Sequence, residues 1–270
     1  MTPFEMSLDH ITWRGWHRPG AGPRCLAVHG WLDNANSFLP LAEQLSDWDF
    51  LAVDLPGHGH SSYLPYPGTY TFIDSVHHLG NLMEAWGGPL VLMGHSLGGG
   101  LLSMLAGALP EPVTHLILLD ALGPITTPAH EALELFRKSR QISARPYQRR
   151  HFATPEEALA RLQHPPQAAA HLAARSLRRE AQGYYFAFDP RVKHLSRSRL
   201  TEEQIQTFLQ GIQCPVHVQS YSEGILPQFA PKEERLRCLR QVEWVDLPGS
   251  HHLHLHQPQV VAAAIRRFLP

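Results

Sequence analysis

Cysteine is scarce in this chain of 270 residues: Cys25, Cys214 and Cys238 are all it holds, and none is spaced for a zinc knuckle or a disulfide framework. A fold stapled by bridges or by metal is therefore not expected, and the three read as reduced core thiols. Long apolar runs are lacking too. No stretch approaches the ~20 residues that cross a bilayer, and Met1 to Met6 shows no basic segment leading into an apolar core. A soluble, cytoplasmic protein without a membrane span is expected. Nor is there an excess of charge of one sign: the formal net charge is −1, which argues against a nucleic-acid partner.

What the chain does have is enough apolar residue, 43%, for one large α/β domain or a domain with an insertion. Short apolar runs recur at 25–28, 50–53, 90–93, 116–119, 216–218 and 242–245, separated through most of the chain by helical patterns. That alternation predicts a mostly parallel central sheet with helices on both faces, preceded by a hairpin near Leu8 to Arg18. In such sheets the ligand site lies outside the carboxyl ends of the strands, so the residues that end each run should converge on one crevice. Between Asp120 and Cys214 the strand rhythm stops for a length no structureless loop fills. Thr154-Pro155-Glu156-Glu157 and Thr201-Glu202-Glu203-Gln204 are helix starts, Pro165-Pro166 is a break, and 167–181 reads as a further helix. Charge marks the same region, since residues 137–199 carry 14 basic against 4 acidic side chains. The expected layout is a core domain of residues 1–123 and 207–270 with a helical cap, 124–206, inserted into it. An amphipathic helix over 258–269 closes the chain.

The chemistry is carried by Gly94-His95-Ser96-Leu97-Gly98-Gly99, which follows an apolar strand and precedes a helix. In such a strand-to-helix elbow the glycines leave room for a sharp turn that lifts the serine Oγ above the sheet edge. The N–H of Leu97 then stands at a helix N-terminus, where unsatisfied donors and the helix dipole favour an oxyanion. A serine hydroxyl needs a base and a group to orient that base. Of 19 histidines, His251 is the first after the turn that ends the last strand, and so is placed at the crevice. The neighbouring His252, His254 and His256 have no carboxylate or cysteine beside them in sequence, so no metal site is expected. Two strand ends, Asp120 and Glu223, offer the acid, both in the chain order nucleophile, acid, base. The loop after the first parallel strand, His29-Gly30-Trp31, should supply a second oxyanion donor, the N–H of Trp31. His29, Gly30 and His95 are expected beside the substrate pocket, with His29 as a brace for loop backbone. Asp54 and Ser61, in the Asp54–Ser61 loop, should bond backbone rather than substrate.

Taken together, His29-Gly30-Trp31, Asp54-Leu55-Pro56-Gly57-His58-Gly59-His60-Ser61, the serine elbow and Pro248-Gly249-Ser250-His251 resemble the α/β-hydrolase fold superfamily, in its serine-hydrolase-like branch. The resemblance covers nearly the whole chain except the cap and implies a Ser-acid-His hydrolase. One departure stands out. Most members carry the acid in a Gly-x-x-Asp pattern whose last position is Gly224 here, with Glu223 one step away. Some relatives place it at the end of the preceding strand, which matches Asp120, and Asp120 is the preferred acid. Dehalogenase and epoxide-hydrolase chemistry, which uses Asp as nucleophile, does not fit Ser96.

The expected activity is hydrolysis of a small-molecule carboxylic ester or thioester through an acyl-enzyme on Ser96, with no cofactor. Cap aromatics such as Phe136, Tyr147, Phe152, Tyr184, Tyr185, Phe186 and Phe188 could line an acyl pocket or pack the cap onto the body. The basic cap face could draw in an anionic leaving group. The rival readings are a receptor-like small-molecule binder with a slow triad and another reaction on the same scaffold, such as C–C cleavage or perhydrolysis. Turnover of simple esters separates the first of these from a hydrolase.

Overall fold

In the computed structural model, which describes residues 1–144, 147–162 and 164–269, the apolar runs lie where the sequence puts them. Along the chain come β1 (Thr2–Leu8), β2 (Ile11–Arg18), β3 (Arg24–Val28), α1 (Leu39–Gln44), β4 (Asp49–Val53), α2 (Phe72–Trp86), β5 (Leu90–His95), α3 (Leu97–Ala108) and β6 (Val113–Leu119). The inserted region follows, with α4 (Ala132–Ser143), α5 (Pro155–Ala160), α6 (Pro166–Ser176), β7 (Leu177–Glu180) and β8 (Gly183–Phe186). The body resumes with α7 (Glu202–Gln210), β9 (Val216–Glu223), α8 (Lys232–Leu236), β10 (Val242–Ser250), α9 (Leu253–His256) and α10 (Pro258–Phe268).

Eight strands form one sheet in the order β1-β2-β4-β3-β5-β6-β9-β10. Only the first hairpin runs antiparallel to its neighbours; β4 through β10 in that order are parallel. The hairpin is longer than the sequence suggests. Its first strand starts at Thr2 and the turn falls at Asp9 and His10, because the exposed alternation of β1 gives a weak apolar signal.

Side-chain alternation explains why both faces carry helices. Leu26, Val28, Leu51, Val53, Leu92, Leu116 and Leu118 point to one face, against Leu79 and Leu82 of α2, Leu101 and Leu105 of α3, and Ile205 and Leu209 of α7. Cys25, Ala27, Phe50, Ala52, Val91, Met93, Ile117 and Leu119 point to the other, against Leu41 of α1 and Val261 and Ile265 of α10. Burial raises the Cys25 thiol well above its ordinary range, as it does that of Cys214, which is pushed up to about 11. Cys238 is only half-buried.

In the insertion, Thr154 caps α5 by accepting from the Glu157 N–H, and Thr201 and Gln204 form a capping box on α7. One reading needs correction. The helix expected over 167–181 ends at Ser176, and the chain turns into the β7–β8 hairpin. Tyr184-Tyr185-Phe186 favours a pleated surface, and Tyr184 pairs its backbone with Phe152 in both directions. Residue 206, the expected end of the cap, lies inside α7, whose Ile205 and Leu209 pack in the larger core cluster. A buried ion pair joins the two parts: Arg175 of α6 donates through Nε to both oxygens of Asp54, at 2.9 and 2.7 Å.

Candidate active site

The predicted residues stand at the carboxyl ends of β3, β5, β6 and β10, and His251 and Asp120 are in direct contact. Ser96 stands between β5 and α3 with φ 51° and ψ −116°, a left-handed conformation that side chains avoid unless the surroundings enforce it. Enforcement comes from crowding. A Cβ at position 98 would fall 2.0 Å from the Val28 carbonyl oxygen, and one at position 94 would fall 2.5 Å from Gly99 Cα, so glycine alone fits on either side of the turn. Leu97 follows as the first residue of α3, its N–H at the positive end of the helix. Gly30 abuts the elbow from the other side, since a Cβ there would lie 3.3 Å from Ser96 Cβ. Trp31 is 55% exposed, and its indole Nε1 donates to the Val192 carbonyl of the insertion at 2.9 Å.

The carboxylate that touches His251 belongs to Asp120: His251 Nδ1 and Asp120 Oδ2 are 2.5 Å apart. Asp120 is fully buried, just past β6, with φ 48°. Its Oδ2 also accepts from the Ile225 N–H at 2.7 Å and its Oδ1 from the Leu226 N–H at 3.1 Å. Glu223 is exposed at the end of β9, paired in register with Ser250. Gly224 explains the departure from Gly-x-x-Asp, because a Cβ there would sit 2.1 Å from Asp120 Oδ2. The Asp120 carboxylate occupies the space that a side chain at 224 would need.

His29 and His95 were expected at the pocket, and the structure buries both. His29 Nδ1–H donates to the Gly30 carbonyl at 2.7 Å while its Nε2 accepts from the Leu55 N–H at 3.0 Å, leaving no ring nitrogen for a ligand. Burial lowers its pKa, keeping the ring neutral as this tautomer requires. His95 lies beneath His251, with ring centroids 4.5 Å apart, and its Nε2–H donates to the His251 carbonyl at 2.8 Å. The residue before the serine thus holds the backbone of the histidine loop. Burial, opposed by Asp33, pushes the His95 pKa down to about 4. Asp54 and Ser61 bond backbone as expected. Asp54 accepts from Ala35 and His60 N–H groups, and Ser61 Oγ donates to the Asp54 carbonyl.

One group was missed. The histidine run does have a carboxylate companion, Asp33, from the loop after β3. Its Oδ2 lies 3.4 Å from His252 Nε2 and 3.7 Å from His95 Nδ1, longer than hydrogen bonds. Burial alone would raise the Asp33 carboxyl, yet it is held well below the usual carboxylate range, chiefly by the facing His252 ring. No spacing in the sequence links these three positions; only the convergence of strand ends does.

The sequence profile of the alpha/beta hydrolase fold family matches residues 24–216. A serine hydrolase-like protein of Danio rerio is 30% identical, over 100% of this chain and 94% of its own length. A probable serine hydrolase of Drosophila melanogaster is 32% identical, over 90% of this chain and 80% of its own. Among solved structures, a hypothetical protein of Pseudomonas aeruginosa PAO1 superposes with a TM-score of 0.92 at 33% identity, covering 99% of both chains.

Proposed function

The chain belongs to the α/β-hydrolase fold family, in its serine-hydrolase-like branch, and from that membership we propose that it cleaves a small carboxylic ester or thioester through an acyl-enzyme on Ser96. The observation that carries this reading is the 2.5 Å contact between His251 Nδ1 and a fully buried Asp120 that two backbone N–H groups also hold. With Nδ1–H given to the carboxylate, Nε2 is left bare as the base. His251 takes the Ser96 Oγ proton as the oxygen attacks the substrate carbonyl, and Asp120 stabilises the imidazolium that forms. The N–H groups of Trp31 and Leu97 hold the tetrahedral oxyanion, a term worth roughly 3–4 kcal/mol per donor in comparable sites. Collapse breaks the bond to the alcohol or thiol, which leaves with the proton from His251. Water then repeats the sequence on the acyl-enzyme, releasing the acid.

Half-exposed apolar side chains flank this chemistry in sequence, Trp31 next to Gly30 and Ile225 next to Gly224, which supports a substrate with an apolar part. Two of the cap's arginines are committed internally, Arg175 to Asp54 and Arg191 to Asp189, and are not free to meet an anionic leaving group. Labelling with a fluorophosphonate probe tests the nucleophile: the label should reside on Ser96 and vanish in Ser96→Ala, and persistent labelling of that variant overturns the assignment. Panels of p-nitrophenyl esters and acyl thioesters test the substrate class. Labelling without turnover on either panel overturns that class and favours the receptor-like reading.

A further inference from the structure

Three ligand atoms, from the loop after β3, the end of β5 and the loop after β10, face one another behind the catalytic histidine: Asp33 Oδ2, His95 Nδ1 and His252 Nε2, all within 4.8 Å of each other. Two of them, Asp33 Oδ2 and His95 Nδ1, are buried without a hydrogen-bond partner among the described residues, on side chains 7% and 1% exposed. His95 can offer no proton to that space in its neutral form. Its Nε2–H is already given to the His251 carbonyl, so Nδ1 presents a lone pair to the carboxylate oxygen 3.7 Å away. Two electron-pair donors aimed at each other in a buried space are costly unless something positive lies between them.

From this convergence we propose that Asp33, His95 and His252 form a binding site for a divalent cation of the zinc class. The ligand set is two imidazoles and a carboxylate, which suits zinc. Tetrahedral zinc with bonds of about 2.0–2.2 Å places its ligand atoms about 3.4 Å apart; the two separations from Asp33 Oδ2, 3.4 and 3.7 Å, are close to that, and the third pair lies within 4.8 Å, so the two rings close on the metal as it binds. The His95 bond to the His251 carbonyl is the outer-shell partner that metal-ligating histidines commonly have, orienting the ring and fixing its tautomer. Three protein ligands leave a fourth position for water. The bound cation joins the loop of Trp31, the elbow of Ser96 and the loop of His251, the three segments that must keep register for the proposed chemistry. It acts as a clamp and takes no part in the reaction itself.

The test uses full-length protein stripped with a chelator and carrying Ser96→Ala, so that its outcome does not depend on hydrolysis. Zinc sulfate titrated by calorimetry should bind at one equivalent, and at a hundredfold excess over Kd should raise Tm by about 5–10 °C. His252→Gln, at a side chain only 23% exposed but on the loop surface, should weaken binding at least tenfold, as should Asp33→Asn; His256→Gln should not. Should Asp33→Asn fail to fold, His252→Gln decides. Absence of saturable binding at about 100 μM zinc, undiminished binding in His252→Gln, or equal loss in His256→Gln overturns the proposal.

Discussion

Adding one methyl group at Gly224 should disable the acid without mutating it. In Gly224→Ala the new Cβ would lie 2.1 Å from Asp120 Oδ2, more than 1 Å inside ordinary contact, and the other atoms at hand are the Asp120 Cγ and Oδ1 at 2.5 and 2.7 Å. The carboxylate cannot retreat freely, because it is held by the Ile225 and Leu226 N–H groups, each charge-assisted bond worth about 1.5–3 kcal/mol. Either those bonds stretch or the loop at 224 moves, and in both cases Asp120 shifts by about 1 Å against His251. Misplacement on that scale costs roughly a hundredfold in rate. Asp120→Asn, which removes the charge and favours the wrong imidazole tautomer, should cost about 10⁴, or roughly 5 kcal/mol of transition-state stabilisation. Moving the acid should restore part of the loss: Asp120→Ala combined with Gly224→Asp should exceed Asp120→Ala alone at least tenfold. The assay is the second-order rate of fluorophosphonate labelling, which requires an activated serine but no known substrate, with circular dichroism as the control for folding. A folded Gly224→Ala protein that labels within twofold of wild type refutes the reasoning, as does a large loss confined to Glu223→Gln.

Ser96→Gly should be inactive yet more stable, because it relieves a left-handed serine; after the greater unfolded-state freedom of glycine is subtracted, a gain of about 1 kcal/mol remains, or about 2–4 °C in Tm. A fall in Tm by calorimetry contradicts the strain argument. Arg175→Met should lower stability by about 3–5 kcal/mol, since it leaves Asp54 buried and charged with only the Ala35 and His60 N–H groups for support. Denaturant unfolding that shifts by less than about 1 kcal/mol would show the pair to be dispensable.

The parallel strands and the serine elbow were legible because each is written in a few adjacent residues: a buried strand is a short apolar run, and the elbow is a strand, two glycines and a helix. The choice of acid was harder. Asp120 and Glu223 both end strands, and only the folded sheet brings Asp120, and not the exposed Glu223, against His251, more than a hundred positions away. The sequence extends the helix over β7 because Gln167 to Ala181 is rich in alanine and arginine, while the pairing of β7 with β8, and of Tyr184 in β8 with Phe152, is non-local. Asp33 escaped notice as a partner of the histidine loop for the same reason. Its neighbours in sequence belong to the loop proposed to supply an oxyanion donor, and only the folded sheet sets it against His95 and His252.

The insertion divides the chain unequally. Everything proposed for the nucleophile, the oxyanion donors and the acid is encoded before residue 124, while His251 stands on the last strand-end of the chain. Two fragments cut within the insertion would each be inert, one holding a serine without a base and the other a base without a serine. Their reassembly could be scored by the return of a reactive serine, which makes the serine a reporter for docking of β9 and β10 onto β6. On a ribosome the same order holds: the first three parts are synthesised early, and reactivity waits for the final strand to reach its neighbour.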